Sequence, residues 1–145
     1  LLLATLPRIA NGDTTPVPQA ESEVSFSPNI SHAQQNLNFA QETAQEIDWH
    51  IRGLYPTHPA YVQVGGQRMK LTQVTPLSET TTLAPGHIVA RTKKLLTIAA
   101  ANQSVVQIDQ LQPAGKSVMP IQAYLNGAGS HLAAGQQWAE EPSHE

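Results

Sequence analysis

Residues 111–127 read Leu-Gln-Pro-Ala-Gly-Lys-Ser-Val-Met-Pro-Ile-Gln-Ala-Tyr-Leu-Asn-Gly. A strand ends at Leu111, because Pro113 lacks the N–H that a ladder needs and Gly115 permits a turn. Lys116 follows on that turn, where its ammonium stays hydrated. Pro120 fits the first turn of a short helix, since its missing N–H is one of the unpaired ones there. Ile121, Tyr124 and Leu125 fall at i, i+3 and i+4 and give that helix one apolar face. Gly127 suits its stop. The stretch predicts strand, basic turn and closing helix, and carries no chemistry of its own.

Upstream of that strand the chain keeps a period of two. Val62 and Val64 alternate with Tyr61 and Gln63, and Gly65-Gly66 supplies a hairpin turn. Met69 and Leu71 alternate with Arg68, Lys70 and Thr72, so the two basic residues share the outward face. Residues 76–82 read as a Thr-rich polar loop, and Pro85-Gly86 as the centre of a type II turn. Further strands are predicted over 87–91, 94–99 and 104–111. Val106 and Ile108 face one way while Leu111 breaks the alternation, which predicts a bulge near Asp109 and Gln110.

Before the strands comes one strong helix signal. Asn38 with Gln41 three positions on makes a capping-box pattern. Ala40, Ala44, Ile47, Ile51 and Leu54 then recur along one face, with Trp49 at its flank, until Gly53 and Pro56 end the element. Glu42, Glu46 and Asp48 populate the other side as a solvated face, since no third ligand lies at metal spacing. Five or six short strands after one helix, with no helix between them, predict a mainly β fold with an N-terminal helix. Its form is a small antiparallel barrel capped by the short C-terminal helix.

The ends of the chain read differently. Residues 1–10 are apolar and close on Asn11-Gly12, a helix-end signal. Pro7 and Arg8 interrupt that run and no basic segment precedes it, so it reads as the tail of a helix rather than a signal peptide. Residues 13–28 carry Pro16, Pro18 and Pro28 among polar residues, the composition of a linker. Residues 130–145 hold Gly, Gln and Glu with a single Trp138, and predict a loosely held tail.

A chain of 145 residues with 40% hydrophobic content builds one core. It has no cysteine, which excludes disulfides and thiolate chemistry and makes a reducing compartment the default. Its longest apolar run is too short to span a bilayer. The net charge of −3 is unevenly spread. Between residues 61 and 116, Arg68, Lys70, Arg91, Lys93, Lys94 and Lys116 face only Glu79 and Asp109. Both flanks are acidic. That asymmetry allows a polyanion on one face.

No nucleophile elbow and no phosphate loop occurs. The histidines at 32, 50, 58, 87, 131 and 144 have no spacing that gathers a metal. The basic set is the functional signal. Lys93 and Lys94 sit on a turn, Lys116 on another, Arg68 and Lys70 on one strand face, and Arg91 ends a strand. With few aromatics, phosphate contact rather than base stacking is the expected mode.

Three segments carry a family resemblance. Leu-Gln-Pro-Ala-Gly-Lys at 111–116, Met119 and Leu125-Asn126-Gly127 resemble the closing segment of methionyl-tRNA formyltransferases. Ile51-Arg52-Gly53-Leu54-Tyr55-Pro56 is similar to that family's Ile-Arg-Ala-Phe-Asn-Pro helix end. Leu83-Ala84-Pro85-Gly86 is similar to its Ala-Pro-Gly turn before a strand. The segments come in the family's order, and the resemblance covers residues 1–127.

It implies residues 1–12 as the last helix of an upstream catalytic domain, 13–31 as linker, 32–127 as an OB-like C-terminal domain and 128–145 as a flexible tail. The catalytic Asn, His and Asp would then lie upstream, leaving no catalytic residue and no cofactor here, and 10-formyltetrahydrofolate would be the whole enzyme's co-substrate. The implied partner is initiator methionyl-tRNA, held by its phosphate backbone on Lys93, Lys94, Lys116, Arg68, Lys70 and Arg91. The protein would be a cytoplasmic monomer. Two positions depart from the family. Asn29 and His32 stand where linker lysines are common, and Ala128-Gly129 where Arg-Arg often follows Asn-Gly. Two other readings are a formyltransferase platform for another acceptor, such as an amino sugar nucleotide, and an unrelated OB-type interaction module. The upstream helix and linker argue against the module.

Overall fold

The computed structural model describes residues 1–142. Four helices and six strands occur among them: α1 (Leu2–Ala10), α2 (His32–Gln35), α3 (Ala44–Leu54), β1 (Tyr61–Val64), β2 (Gln67–Thr80), β3 (Ile88–Arg91), β4 (Leu96–Ala99), β5 (Ser104–Gln112), β6 (Met119–Pro120) and α4 (Ile121–Asn126). The helix at the start ends where Asn11-Gly12 placed it, and none of its residues is buried. Its leucines therefore pack on nothing described here.

Every strand pairing is antiparallel, in the order β1-β2-β5-β4-β3 with β6 alongside β5. Gly65 and Gly66, both at positive φ, make the expected hairpin between β1 and β2. Gly86 at φ +82° and the His87 N–H donating to Ala84 O at 3.2 Å form the type II turn. The bulge lies where Leu111 required it. Val74 pairs with Ile108 and Gln73 with Gln110, so Asp109 has no partner across the ladder. Thr75 Oγ1 and Gln107 Nε2 donate to the Asp109 carboxylate at 2.6 and 2.7 Å and fix the bulge. Val106, Ile108 and Leu111 are thereby all buried.

Five expectations need correction. The polar loop over 76–82 does not form, because β2 continues to Thr80. Past Leu71, β2 is flanked by β5 alone, and a proline whose missing N–H faces the open side removes no ladder bond. The main helix begins at Ala44 rather than Asn38, because Thr43 and Glu46 form the capping box. Asn38 instead turns the chain, its Oδ1 accepting from Ala40 N–H at 3.0 Å. Trp49 is exposed rather than flanking the buried face.

The sheet does not close into the OB-like barrel. β1 and β3 are short edges that do not pair with each other. Between them runs the segment expected to be a loose tail. Ile88 N–H donates to Gln136 O at 2.8 Å, and Trp138 and Ala139 N–H donate to Gly86 O at 2.9 and 3.0 Å. Glu140 N–H donates to Gln63 O at 2.9 Å, on the opposite edge. Trp138 and Ala139 are buried in the core. A large apolar side chain with an edge to pair against outweighs the polar composition around it. The last tail residues, 143–145, lie outside the described residues.

The core lies between the sheet and the helices. Ile47 and Ile51 of α3, which packs on β2 and β5, share one buried cluster with Leu71, Ile88, Leu96, Ile98 and Leu111 of the sheet. Ile121, Tyr124 and Leu125 bury the apolar face of α4, as their spacing requires.

Candidate nucleic-acid interface

Strand register decides which basic residues meet. Arg68 pairs with Gln63, and Lys70 pairs with Tyr61 on one side and Gln112 on the other. Gln112 Nε2 donates to Lys116 O at 2.7 Å, and Lys116 N–H donates to Pro113 O at 3.1 Å. The Lys116 turn therefore abuts Arg68 and Lys70. A cleft of about 170 Å³ separates them, lined by Arg68, Lys70, Gln112, Pro113, Ala114 and Gly115. The Arg68 guanidinium lies over the Tyr61 ring, 4.9 Å from its centroid. That contact restrains a side chain that would otherwise sample many rotamers.

Lys93 and Lys94 occupy the β3–β4 turn, where Thr92 Oγ1 accepts from Lys94 N–H at 3.2 Å and from Leu95 N–H at 3.0 Å. Both are exposed. The antiparallel order puts this turn, the end of β5 and the start of β2 at the same end of the sheet. Lys93 and Lys94 line neither of the clefts beside Arg68. Among the described residues the ion pairs are Glu42–His50 and Asp48–Arg52, so these five cations have no carboxylate partner there.

Arg91 belongs elsewhere. It is half-buried, and its Nη2 donates to Leu125 O at 3.1 Å, Ser130 O at 3.2 Å and Gly129 O at 3.4 Å. The guanidinium satisfies carbonyls left open at the end of α4. Its role is structural, contrary to its expected place in the phosphate-contacting set.

Sequence reading passed over a second cleft beside Arg68 and Lys70. It measures about 350 Å³ and takes in His32, Gln35, Thr57 and His58. The sequence alone marks His32 as a missing linker lysine and gives neither His32 nor His58 a metal-ligand spacing. Their approach follows from the turn after α3 folding back onto α2, which no local spacing encodes.

A half-buried pair fixes that neighbourhood. His50 Nδ1 meets Glu42 Oε1 at 2.6 Å, and its Nε2 meets Gln34 O at 2.6 Å. Both ring nitrogens face acceptors, which favours the imidazolium. The hydrogen bond to Glu42 raises the His50 pKa, burial opposes it, and the Gln34 carbonyl adds to the rise. The other Glu42 oxygen accepts from Asn38 N–H at 2.7 Å.

The structure also accounts for one departure from the family pattern. A Cβ on Gly129 would stand 2.7 Å from Cε1 of the Tyr124 ring, so no side chain fits without moving that buried tyrosine. An arginine at 129 is incompatible with Tyr124 where it sits.

These observations define a small antiparallel-sheet domain with a basic end. Residues 29–129 match the formyl transferase C-terminal domain family, and the chain belongs to it. Its curated relatives include methionyl-tRNA formyltransferases. That of Enterococcus faecalis is 49% identical over 133 residues, covering 92% of this chain and 42% of that protein. That of Lactiplantibacillus plantarum is 50% identical over 138 residues, covering 94% and 44%. The chain thus spans less than half the length of the curated relatives it matches. Among solved structures, a HypX variant from Aquifex aeolicus superposes with a TM-score of 0.65 at 18% identity, over 90% of this chain and 24% of that one. HypX in complex with tetrahydrofolic acid gives 0.61 at 20% identity, over 87% and 22%. That likeness is one of fold alone.

Proposed function

We propose that the chain is the tRNA-holding C-terminal part of an enzyme that formylates methionine on initiator methionyl-tRNA. The formyl group would come from 10-formyltetrahydrofolate and go to the α-amine of the methionine, in a catalytic domain that precedes these residues. The curated relatives named methionyl-tRNA formyltransferase support that reading. Residues 1–12 are the last helix of the catalytic domain, 13–31 the linker, and the sheet with its helices the RNA-facing unit. The protein works as a cytoplasmic monomer.

The observation that carries the proposal is the basic end of the sheet. Arg68, Lys70, Lys93, Lys94 and Lys116 are exposed at one end of a chain whose net charge is −3. Such a set attracts the phosphate backbone through release of counterions and reads no bases. Arg91 is withdrawn from it by its carbonyl contacts.

A salt titration tests it. With about three phosphate contacts, log affinity against log salt slopes at roughly −2 to −3, and initiator and elongator tRNAs bind alike. Replacing Lys93 and Lys94 together by alanine flattens the slope by up to about 2 and weakens all tRNAs equally. Wild-type affinity and slope in that double variant would show that the two lysines serve solubility alone.

A further inference from the structure

The larger cleft beside Arg68 has the chemistry of an anion site. Its polar lining is Arg68, Lys70, His32, His58, Gln35 and Thr57, with no carboxylate among the described residues. Two cations, an amide and a hydroxyl offer donors, and beside a phosphate His32, whose Nδ1–H is on Gln35, adds Nε2–H as the imidazolium. In a chain with more carboxylates than cations, a cleft lined this way stands apart from its surroundings.

The walls are built rather than incidental. α2 is closed by a capping box, in which Ser31 Oγ accepts from Gln34 N–H at 3.3 Å and Gln34 Oε1 from Ser31 N–H at 2.8 Å. It is tied to the domain by Tyr61 Oη donating to His32 O at 3.3 Å and by His50 Nε2 on Gln34 O. His32 Nδ1 donates to Gln35 Oε1 at 3.1 Å, which leaves the Gln35 amide N–H₂ free to donate. The opposite wall is the turn after α3, where His58 N–H donates to Leu54 O at 2.9 Å. The floor is Tyr61, with Arg68 stacked above it.

We infer that this cleft seats one phosphate of an RNA strand, held by Arg68, Lys70, His32 and His58. The inference rests on the tRNA reading and adds two histidines and α2 to it. An RNA strand suits the place better than a free small anion. The cleft is open to solvent, and Arg68 and Lys70 also wall the second cleft that leads to the Lys116 turn. Neighbouring phosphates of one strand can occupy the two sides of that shared wall. Arg68 presents a planar fork already oriented by Tyr61, the geometry that phosphate recognition uses.

The test compares the chain with its His32→Ala/His58→Ala double variant, using tRNA and inorganic pyrophosphate as probes. tRNA affinity is expected to fall about five- to tenfold in the double variant, the low end of what two solvent-exposed hydrogen bonds contribute. Pyrophosphate should shift the His32 and His58 ring-proton resonances saturably and be displaced by tRNA. His32→Ala alone, at an exposed position, should lose about threefold, and decides the matter if the double variant does not fold. Wild-type tRNA binding unchanged in both variants overturns the inference and leaves the tRNA reading standing. Pyrophosphate shifts with unchanged tRNA binding overturn it in favour of a free-phosphate site. Failure of the unaltered chain to bind tRNA removes the reading beneath it and the inference together.

Discussion

Replacing Trp138 by alanine should cost the domain about 3 kcal/mol. The residue is 2% exposed and sits in the core between the two sheet edges. An aromatic side chain so placed removes roughly 150–250 Å² from water, which at about 25 cal/mol per Å² amounts to roughly 4–6 kcal/mol. Two effects lower that figure. The unfolded chain already buries part of this surface. The indole N–H makes no hydrogen bond of good geometry, so its removal returns about 1–3 kcal/mol. Urea unfolding followed by far-ultraviolet circular dichroism reads the change, and the midpoint should fall by roughly 1–3 M. Trp49→Ala is the internal control, because Trp49 is 58% exposed and should change stability by no more than about 0.5 kcal/mol. Amide exchange at 136–140 should quicken in Trp138→Ala. Equal, small losses in the two variants would refute the placement of the C-terminal segment in the core.

Two further predictions concern charge. With its pKa raised in the fold, His50 contributes stability that is complete below the unfolded value of about 6.5 and is lost as pH rises through the folded value. The stability difference between the chain and His50→Gln should therefore be larger at pH 5.5 than at pH 8.5 in urea titrations, and an equal difference would contradict the Glu42 pairing. Restoring the family's basic pair should succeed at only one position. Ala128→Arg, on the surface, should keep the melting temperature and steepen the salt slope for tRNA by about 1. Gly129→Arg should lower the melting temperature by displacing Tyr124, and an unchanged melt would show that the ring repacks freely.

Much of the sheet is written locally. Gly65-Gly66 between alternating runs specifies a hairpin, Leu111 out of phase with Ile108 specifies a bulge, and Ile121, Tyr124 and Leu125 specify a buried helix face. Local signals fail where two of them compete. Asn38 with Gln41 and Thr43 with Glu46 both spell a capping box. The later one wins because Leu37 and Phe39 are buried and Leu37 N–H donates to Tyr61 O at 2.8 Å. Past Pro76 the strand runs through Leu77, Ser78, Glu79 and Thr80, of which only Thr80 is a strong strand former, so pairing with β5 rather than local propensity carries it on.

What the sequence hides is tertiary. Trp138 amid Gly and Gln reads as disorder until Gly86 and Gln63 offer it a place. The meeting of Lys70 with the Lys116 turn depends on its register opposite Gln112. Arg91 looks like any strand-end cation, because the three carbonyls it serves come from the last turn of α4 and the residues after it, more than thirty positions along the chain.

The segment strung between β1 and β3 also bears on how copies of this domain treat one another. An open sheet offers its outermost strands as templates for any passing chain. Many proteins blunt those strands with lysine, yet only 13% of this chain is charged, β1 holds no charge, and the one charge of β3, Arg91, is turned to the carbonyls at the end of α4. Here the outward carbonyls of β1 are taken by Leu37 at Tyr61 and Glu140 at Gln63, while Gly135 and Gln136 engage both main-chain groups of Ile88. The protection is main chain on main chain, supplied from within. A version cut at residue 129, where the family match stops, would free Gln63 on β1 and Ile88 on β3, keep only Leu37 on the first of these margins, and invite other chains to pair there.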